Sequence, residues 1–201
     1  MIIRSEGISM KKLGLTILTI VASIFGSFAY AADPEDLQKL MDTNNCFRCD
    51  LRGADLYGAD LEGADLSYAR LVGANLMQVN LHKAVLNNTF FADAKMNGAN
   101  LNKANLYKSN FSNTILNYAK LRGADLREVI FLNTKMQDAD LSGADLSGAI
   151  LSKAYLAYAN LKDTNMSGTD LKESFLSGAL MNGAILCNTE MPDGSVIYSG
   201  C

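Results

Sequence analysis

The chain from Leu51 to Met191 carries a large apolar residue at every fifth position without interruption. Of these 29 positions, 21 are leucine, five are methionine and three are phenylalanine. The residue two places before each of them is small: 18 alanines, six threonines, two valines, two serines and one cysteine. Apolar positions spaced alternately by two and three residues fit neither a helix nor a continuous strand. They predict short extended segments, each followed by a turn that restarts the pattern.

The other three positions of each unit are mostly polar, and glycine is frequent two places after the large residue, as at Gly58 and Gly63. Internal repetition of this kind predicts a solenoid, in which each coil buries its apolar side against its neighbours. Because each coil contacts only its neighbours, we expect both ends of the solenoid to need a cap.

The units ADLYG at 54–58 and ADLSG at 144–148 match the A-(D/N)-L-x-x motif, and the chain resembles pentapeptide repeat proteins over about three quarters of its length. The resemblance implies an all-β fold, a right-handed quadrilateral β-helix in which four pentapeptides form one coil. On that fold 29 units make about seven coils, and at the β-strand spacing they extend on the order of 35 Å. The large and small residues then point inward, and the other three point outward.

A period of 20 residues also predicts which side chains stack. Phe91, Phe111 and Phe131 lie 20 residues apart and are expected to form one internal aromatic column. Met96 and Met136 are expected to lie inside the next side of the coil. We expect these residues to fill the core, and we expect no cofactor, because the narrow coil has no room for a ligand.

Residues 1–31 are typical of a signal peptide. Lys11 and Lys12 supply a basic start, residues 13–28 are apolar apart from small residues, and Ala29 and Ala31 form the small-x-small cleavage pattern. We expect cleavage after Ala31 and no membrane span in the mature chain. An uncleaved anchor remains an alternative, and Met10 is an alternative start. Export places the protein in the periplasm, or in the thylakoid lumen if the source is a cyanobacterium.

Three segments are expected after the signal peptide: a capping helix over 32–45, the solenoid over 46–190 and a C-terminal cap over 191–201. Asp33 suits the helix N-cap and Pro34 the first helical position. At the other end a Pro-Asp-Gly turn at 192–194 breaks the repeat, and the apolar residues 196–198 are expected to cover the last coil.

Two cysteines lie near each end of the solenoid, Cys46 and Cys49 at one and Cys187 and Cys201 at the other. A disulfide needs Cα atoms within about 7 Å, which excludes bridges between the ends. In an oxidising compartment the expected pairs are therefore Cys46–Cys49 and Cys187–Cys201. Redox or metal chemistry at the Cys-x-x-Cys spacing stays open as an alternative, although no second cysteine pair or histidine cluster completes a zinc site.

The formal net charge is −3, and residues 32–201 carry 15 basic and 20 acidic residues. This balance does not indicate a nucleic-acid-binding protein. The single histidine, His82, falls at an outward position, and no catalytic motif occurs, so we expect no enzyme. Asp125 and Asp145 are expected to stack in one outward column, and a paired-carboxylate site there has little support.

Several outward positions are apolar although the repeat does not require it, which is typical of a partner surface. The alternative is that they are scattered surface residues, partly covered by the tails. The candidate partner surface comprises Phe90, Ile130, Leu132 and Ile150 on one side and Ile115, Tyr118, Tyr155, Tyr158 and Phe175 on the adjoining side.

These observations favour an exported, non-catalytic scaffold that binds an unknown protein partner, with a homo-oligomer left open. The resemblance suggests a second function, since some cytoplasmic pentapeptide repeat proteins mimic duplex DNA and protect gyrase. That function needs a strongly acidic rod in the cytoplasm, so the signal peptide and the mixed charges count against it. A redox or metal protein using Cys46 and Cys49 is the third hypothesis.

Overall fold

The structure, a computed structural model, describes residues 31–201. The predicted signal peptide therefore lies, except for Ala31, outside the described residues. Within them, no helix is both long and apolar enough to cross a membrane.

A tight turn closes every pentapeptide. The amide N–H three residues after the apolar centre donates to the carbonyl oxygen of that centre, as from Ala54 to Leu51 at 3.1 Å. The residue before this donor has a positive φ, +64° at Gly53. A positive φ at the third of four residues is the geometry of a type II turn, and it explains why glycine is frequent there.

Consecutive coils are joined by parallel bridges between residues 20 apart, from Asn45 with Asp65 through to Asp170 with Glu190. Four pentapeptides thus complete one coil. We number the sides by the apolar centre of their pentapeptides: side 1 contains the centres 51, 71 and so on, side 2 contains 56 and 76, side 3 contains 61 and 81, and side 4 contains 66 and 86.

The apolar centres fill the interior and are fully buried along most of the solenoid. The predicted aromatic column is confirmed: the ring centroids of Phe91 and Phe111 are 4.6 Å apart, and those of Phe111 and Phe131 are 5.2 Å apart, both stacked. The small residue beside each centre leaves the space that these large side chains occupy, so the core packs without overlap.

Threonine at the small inward position makes a hydrogen bond that the sequence pattern does not reveal. Thr114 Oγ1 donates to the carbonyl oxygen of Phe91 at 2.8 Å, and Thr134 Oγ1 donates to that of Phe111 at 2.7 Å. Each hydroxyl is fully buried and reaches a carbonyl of the preceding coil. The bond satisfies a polar group that would otherwise be costly to bury.

Helix α1, Pro34–Thr43, packs on the first coil. Its N-cap is Asp33, whose carboxylate accepts from the amide N–H groups of Glu35 and Asp36, and its Leu40 is fully buried. Asp36 Oδ2 in turn accepts from the amide of Asp50 at 2.7 Å. The N-cap residue and the first-position proline expected for this helix are both present.

The C-terminal end contains the short strands β1, Thr189–Glu190, and β2, Val196–Ile197, which pair antiparallel. Residues 196–198 do not bury themselves as expected of a covering strand: Val196 and Tyr198 are 43% and 67% exposed. The inward residues of the last coil are correspondingly only partly buried, namely Leu176, Ala179, Met181, Ala184 and Leu186. Strand β2 pairs with β1 and does not cover these inward residues, so this end of the solenoid is less covered than the end under α1.

The repeat register can be tested at two adjacent residues. Leu121 is fully buried and Arg122 is exposed. We expect Leu121→Lys to abolish folding, because a buried unpaired ammonium costs several kcal/mol. Arg122→Lys keeps an exposed cation and is expected to leave thermal melting unchanged. Equal melting temperatures for the two variants would contradict the five-residue register.

Candidate interaction surface

The apolar residues predicted on side 1 are not equally accessible. Phe90, Leu132 and Ile150 are 46%, 42% and 39% exposed, whereas Ile130 is half-buried. Ile130 forms the bridge to Ile150 in the next coil, but Asn110 separates it from Phe90. Phe90 therefore stands apart from the other apolar residues of this side.

Side 2 carries the densest apolar contact on the outside. The rings of Tyr155 and Phe175 stack with centroids 4.8 Å apart and planes inclined by 14°. Both remain accessible, at 42% and 53%. Since stacked aromatic rings that keep half of their surface in water can still gain burial energy, this pair is suited to anchor a partner.

Tyr158 lies in the same pentapeptide as Tyr155, at the positive-φ position of the turn that leads to side 3, and is 62% exposed. Its ring lies against Gly178 so closely that a Cβ on that glycine would stand 2.5 Å from Tyr158 Cδ1. Position 178 therefore favours glycine for two reasons: a Cβ would clash with the Tyr158 ring, and the backbone φ of +71° is in the left-handed region. Tyr118 is 61% exposed but lies two coils away, and Ile115 is half-buried and separated from Tyr155 by Lys135.

An open hollow of about 510 Å³ lies at the corner between sides 1 and 2, next to the stacked pair. Lys153 and Glu173 form an ion pair of 3.6 Å at this corner. Ser174, which is 6% exposed, has the one buried side-chain hydroxyl without a hydrogen-bond partner within residues 31–201. The hollow is lined by Asn133, Lys153, Tyr155, Glu173, Ser174, Phe175 and Pro192.

The structure thus brings together only part of the predicted surface. In its C-terminal part the ladder places Ile130 beside Ile150 on side 1 and Tyr155 beside Phe175 on side 2. We call Ile150, Tyr155, Tyr158 and Phe175 the aromatic corner. Ser174 could not be predicted as part of this surface, because an unpaired hydroxyl leaves no signal in a repeat that accepts serine at that position.

A second aromatic group, also missed from the sequence, lies at the N-terminal end of side 4. Phe47 and Tyr68 meet edge to face with centroids 5.7 Å apart. The Arg48 guanidinium lies over both rings, 5.1 Å from the Phe47 centroid and 5.7 Å from that of Tyr68. Because 47 and 68 are 21 residues apart, a search along strict 20-residue columns does not pair them.

The predicted column of Asp125 and Asp145 is present as a parallel bridge. Asp125 accepts two hydrogen bonds of 2.7 Å from Arg127, and these hold the pKa of its carboxyl below the ordinary value. A general acid needs a raised pKa, so the lowered pKa of Asp125 weighs against paired-carboxylate catalysis at this column. Within residues 31–201 no group of three or more His, Cys, Asp or Glu side chains is arranged to hold a metal ion.

The cysteines are joined as expected, Cys46 to Cys49 with Cα atoms 5.2 Å apart and Cys187 to Cys201 with Cα atoms 4.8 Å apart. The first pair is 0% and 1% exposed, and Cys46 Sγ lies 3.1 Å from the carbonyl oxygen of Asp36 in α1. Thiol exchange requires direct attack on a sulfur atom. The burial under α1 therefore weighs against the redox hypothesis.

Although the formal net charge is only −3, the charged residues form three bands along the axis. Residues 32–65 carry three basic and nine acidic residues, and residues 136–201 carry three and eight. Residues 66–135 between them carry nine basic and three acidic residues. Because sequence order is also axial order in a solenoid, the rod has a basic middle and two acidic ends.

A parallel ladder at a spacing of 20 residues defines the molecule as a β-solenoid with four pentapeptides per coil. Comparison with family models identifies the kind of solenoid. A model described as pentapeptide repeats, in eight copies, matches residues 45–82 and 149–188, and one described as a pentapeptide repeat region matches 64–141 and 86–161. The chain belongs to the pentapeptide repeat family, and its fold is the right-handed β-helix.

The chain is also similar to proteins of solved structure. HetL, a pentapeptide repeat protein involved in heterocyst differentiation regulation in the cyanobacterium Nostoc sp. strain PCC 7120, is 32% identical, with 76% of this chain and 74% of HetL covered and a TM-score of 0.34. QnrB1, a plasmid-mediated fluoroquinolone resistance protein, is 19% identical, with 73% and 81% covered and a TM-score of 0.45.

A pentapeptide repeat protein from the Arabidopsis thaliana thylakoid lumen is 23% identical, with 63% of this chain and 70% of that protein covered and a TM-score of 0.31. A search of curated proteins found no match to this chain. Family membership thus rests on the repeat models and on the identity to HetL. Proteins of this family are in general non-enzymatic.

The two disulfides are expected to differ in their resistance to reduction. Cys201 is exposed and Cys187 half-buried, whereas Cys46 and Cys49 are buried. Under native conditions a dithiol reductant should open Cys187–Cys201 first and leave Cys46–Cys49 closed until the first coil unfolds. Alkylation and peptide mapping at successive times distinguish the two pairs. Rapid native reduction of Cys46–Cys49 would instead support the redox hypothesis.

Proposed function

We propose that this protein is an exported, non-catalytic scaffold that binds a protein partner through the aromatic corner. The observation that carries the proposal is the stack of Tyr155 on Phe175, which stays half exposed beside an open hollow. Aromatic side chains beside a hollow are the residues from which interfaces gain most of their binding energy. The scaffold itself needs no ligand, because its interior is filled by its own side chains.

The charge distribution argues against DNA mimicry as the function. A DNA mimic has to present negative charge along its whole length, since duplex DNA carries a charge about every 1.7 Å. Here the two acidic ends are separated by residues 66–135, which carry nine lysines and arginines. We therefore favour the scaffold function over gyrase binding.

Export is supported by the N-terminal sequence and by the two disulfides, which persist in oxidising compartments. We propose that the mature chain consists of the capping helix, the solenoid and a C-terminal cap. In this arrangement α1 covers one end of the solenoid. The disulfide between Cys187 and Cys201 holds the tail against the other end, where Gly200 lies close to Ile185.

The export step predicts a defined N-terminus. We expect the protein from an envelope or lumen fraction to begin at Ala32, because cleavage follows Ala29-Tyr30-Ala31. N-terminal sequencing of the fractionated protein measures this directly. Recovery of only an intact chain from the cytoplasm would contradict export and leave the interface proposal to be tested separately.

The interface predicts that loss of the aromatic corner removes the partner without unfolding the rod. Tyr155→Ser/Phe175→Ser is expected to weaken partner binding at least about tenfold, since interface aromatics commonly contribute more than 1.4 kcal/mol each. Retention of a partner by the tagged mature protein, followed by competition with each variant, provides the measurement.

Tyr57→Ser/Tyr68→Ser is the matched control, because these tyrosines are 54% and 42% exposed but lie in the first coil. It is expected to bind as the parent does. Thermal melting checks that all variants keep the fold. If both double variants lose the partner equally, or neither loses it, the aromatic corner is not the interface.

A further inference from the structure

The basic middle of the rod has a centre on side 3. Four cations face outward there in three successive coils: Lys83, Lys103, Lys120 and Arg122. All four are exposed. The amide of Lys83 donates to the carbonyl oxygen of Asn102, and that of Lys103 to the carbonyl oxygen of Arg122, so the coils that carry them are in direct contact. We call these four residues the basic patch.

The patch is only partly neutralised by its own chain. Within residues 31–201, Lys83, Lys103 and Lys120 form no ion pair, and Arg122 pairs with Asp140 at 3.8 Å. Asp140 is also the ladder neighbour of Lys120, so one carboxylate lies beside four cations. In contrast, on side 4 Arg127 is paired with Asp125 at 2.7 Å and Lys108 with Glu128 at 3.4 Å. The basic patch therefore keeps most of its positive charge.

The polar residues between these cations are occupied with each other. Asn100 Nδ2 donates to Asn80 Oδ1 at 2.9 Å, and Asn80 Nδ2 donates to Asp60 Oδ1 at 3.0 Å. Asn102 Oδ1 accepts from the amide of Arg122 at 2.8 Å. Because these asparagines are engaged in hydrogen bonds, the ammonium and guanidinium groups are the polar groups more available to a ligand.

The bands limit the size of the anionic ligand. Residues 66–135 form three and a half coils, which at the strand spacing extend about 17 Å. The Debye length is about 8 Å at physiological ionic strength, so the basic band and the acidic ends act as separate charges. A duplex or a membrane surface lying along the rod would meet both acidic ends, whereas a short acidic segment fits within the band.

We infer that the basic patch on side 3 binds an acidic segment of another protein, at a site separate from the aromatic corner. The inference rests on charge and does not depend on what the aromatic corner binds. The recognition is electrostatic: carboxylates of the segment pair with lysines that project from successive coils. Such pairs set association rate and specificity, and they weaken with added salt.

The test uses the mature protein and a fluorescently labelled peptide of about ten residues, rich in glutamate and extending about 17 Å across its acidic part. We expect fluorescence anisotropy to show saturable binding at 50 mM NaCl that weakens strongly at 300 mM. Lys83→Gln/Lys103→Gln/Lys120→Gln should weaken binding at least about tenfold, since each exposed pair contributes about threefold.

The control is Lys39→Gln/Lys162→Gln/Lys172→Gln, which changes the net charge equally but affects only the acidic bands. Its affinity should stay within about twofold of the parent, and so should that of Tyr155→Ser/Phe175→Ser. The inference is overturned if the peptide does not bind or if both lysine triples weaken binding equally. It is also overturned if a duplex oligonucleotide or vesicles with anionic lipid bind the patch more tightly than the peptide does. A third contrary result is salt-sensitive self-association of the protein that the lysine triple at the patch abolishes.

Discussion

The closure of a turn every five residues is the constraint on which the rest of the structure depends. Each turn needs a positive φ, and within the solenoid 18 residues other than glycine accept one, with φ between 55° and 61°. Among them are Lys83, Tyr118 and Glu128, and such a conformation costs about 1 kcal/mol or more for a residue with a Cβ. The ladder and the burial of one large side chain per turn offset that cost. Stability is therefore collective, spread over neighbouring coils.

This constraint separates the fold from the function. Two residues of every five are committed to the interior, and the remaining three can vary as long as the turn closes. The proposed sites accordingly combine outward residues from different coils. Tyr155 and Phe175 are 20 positions apart in the sequence yet stack at 4.8 Å. A local motif search cannot find such a site, whereas a search along the 20-residue period can.

The same period explains what the sequence could predict. It correctly placed the column of Phe91, Phe111 and Phe131, because backbone geometry alone decides which inward residues stack. The cap of α1 was predictable because Asp33 and Pro34 act locally. Exposure was less predictable: Ile115 and Ile130 are half-buried, and each lies in the ladder between two outward residues whose side-chain conformation affects its burial. The partial burial of the last coil was missed for a related reason, since pairing of β2 with β1 competes with packing on the core.

A square rod also determines how two binding surfaces can coexist. The aromatic corner lies between sides 1 and 2 in the C-terminal half, whereas the basic patch lies on side 3 in the middle. Their residues share no side, and no listed contact joins a residue of one to a residue of the other. Because the coils transmit stability only to their neighbours, substitutions on one surface leave the backbone of the other intact. The fold would thus allow the two proposed surfaces to be occupied at the same time, as the proposed scaffold function requires.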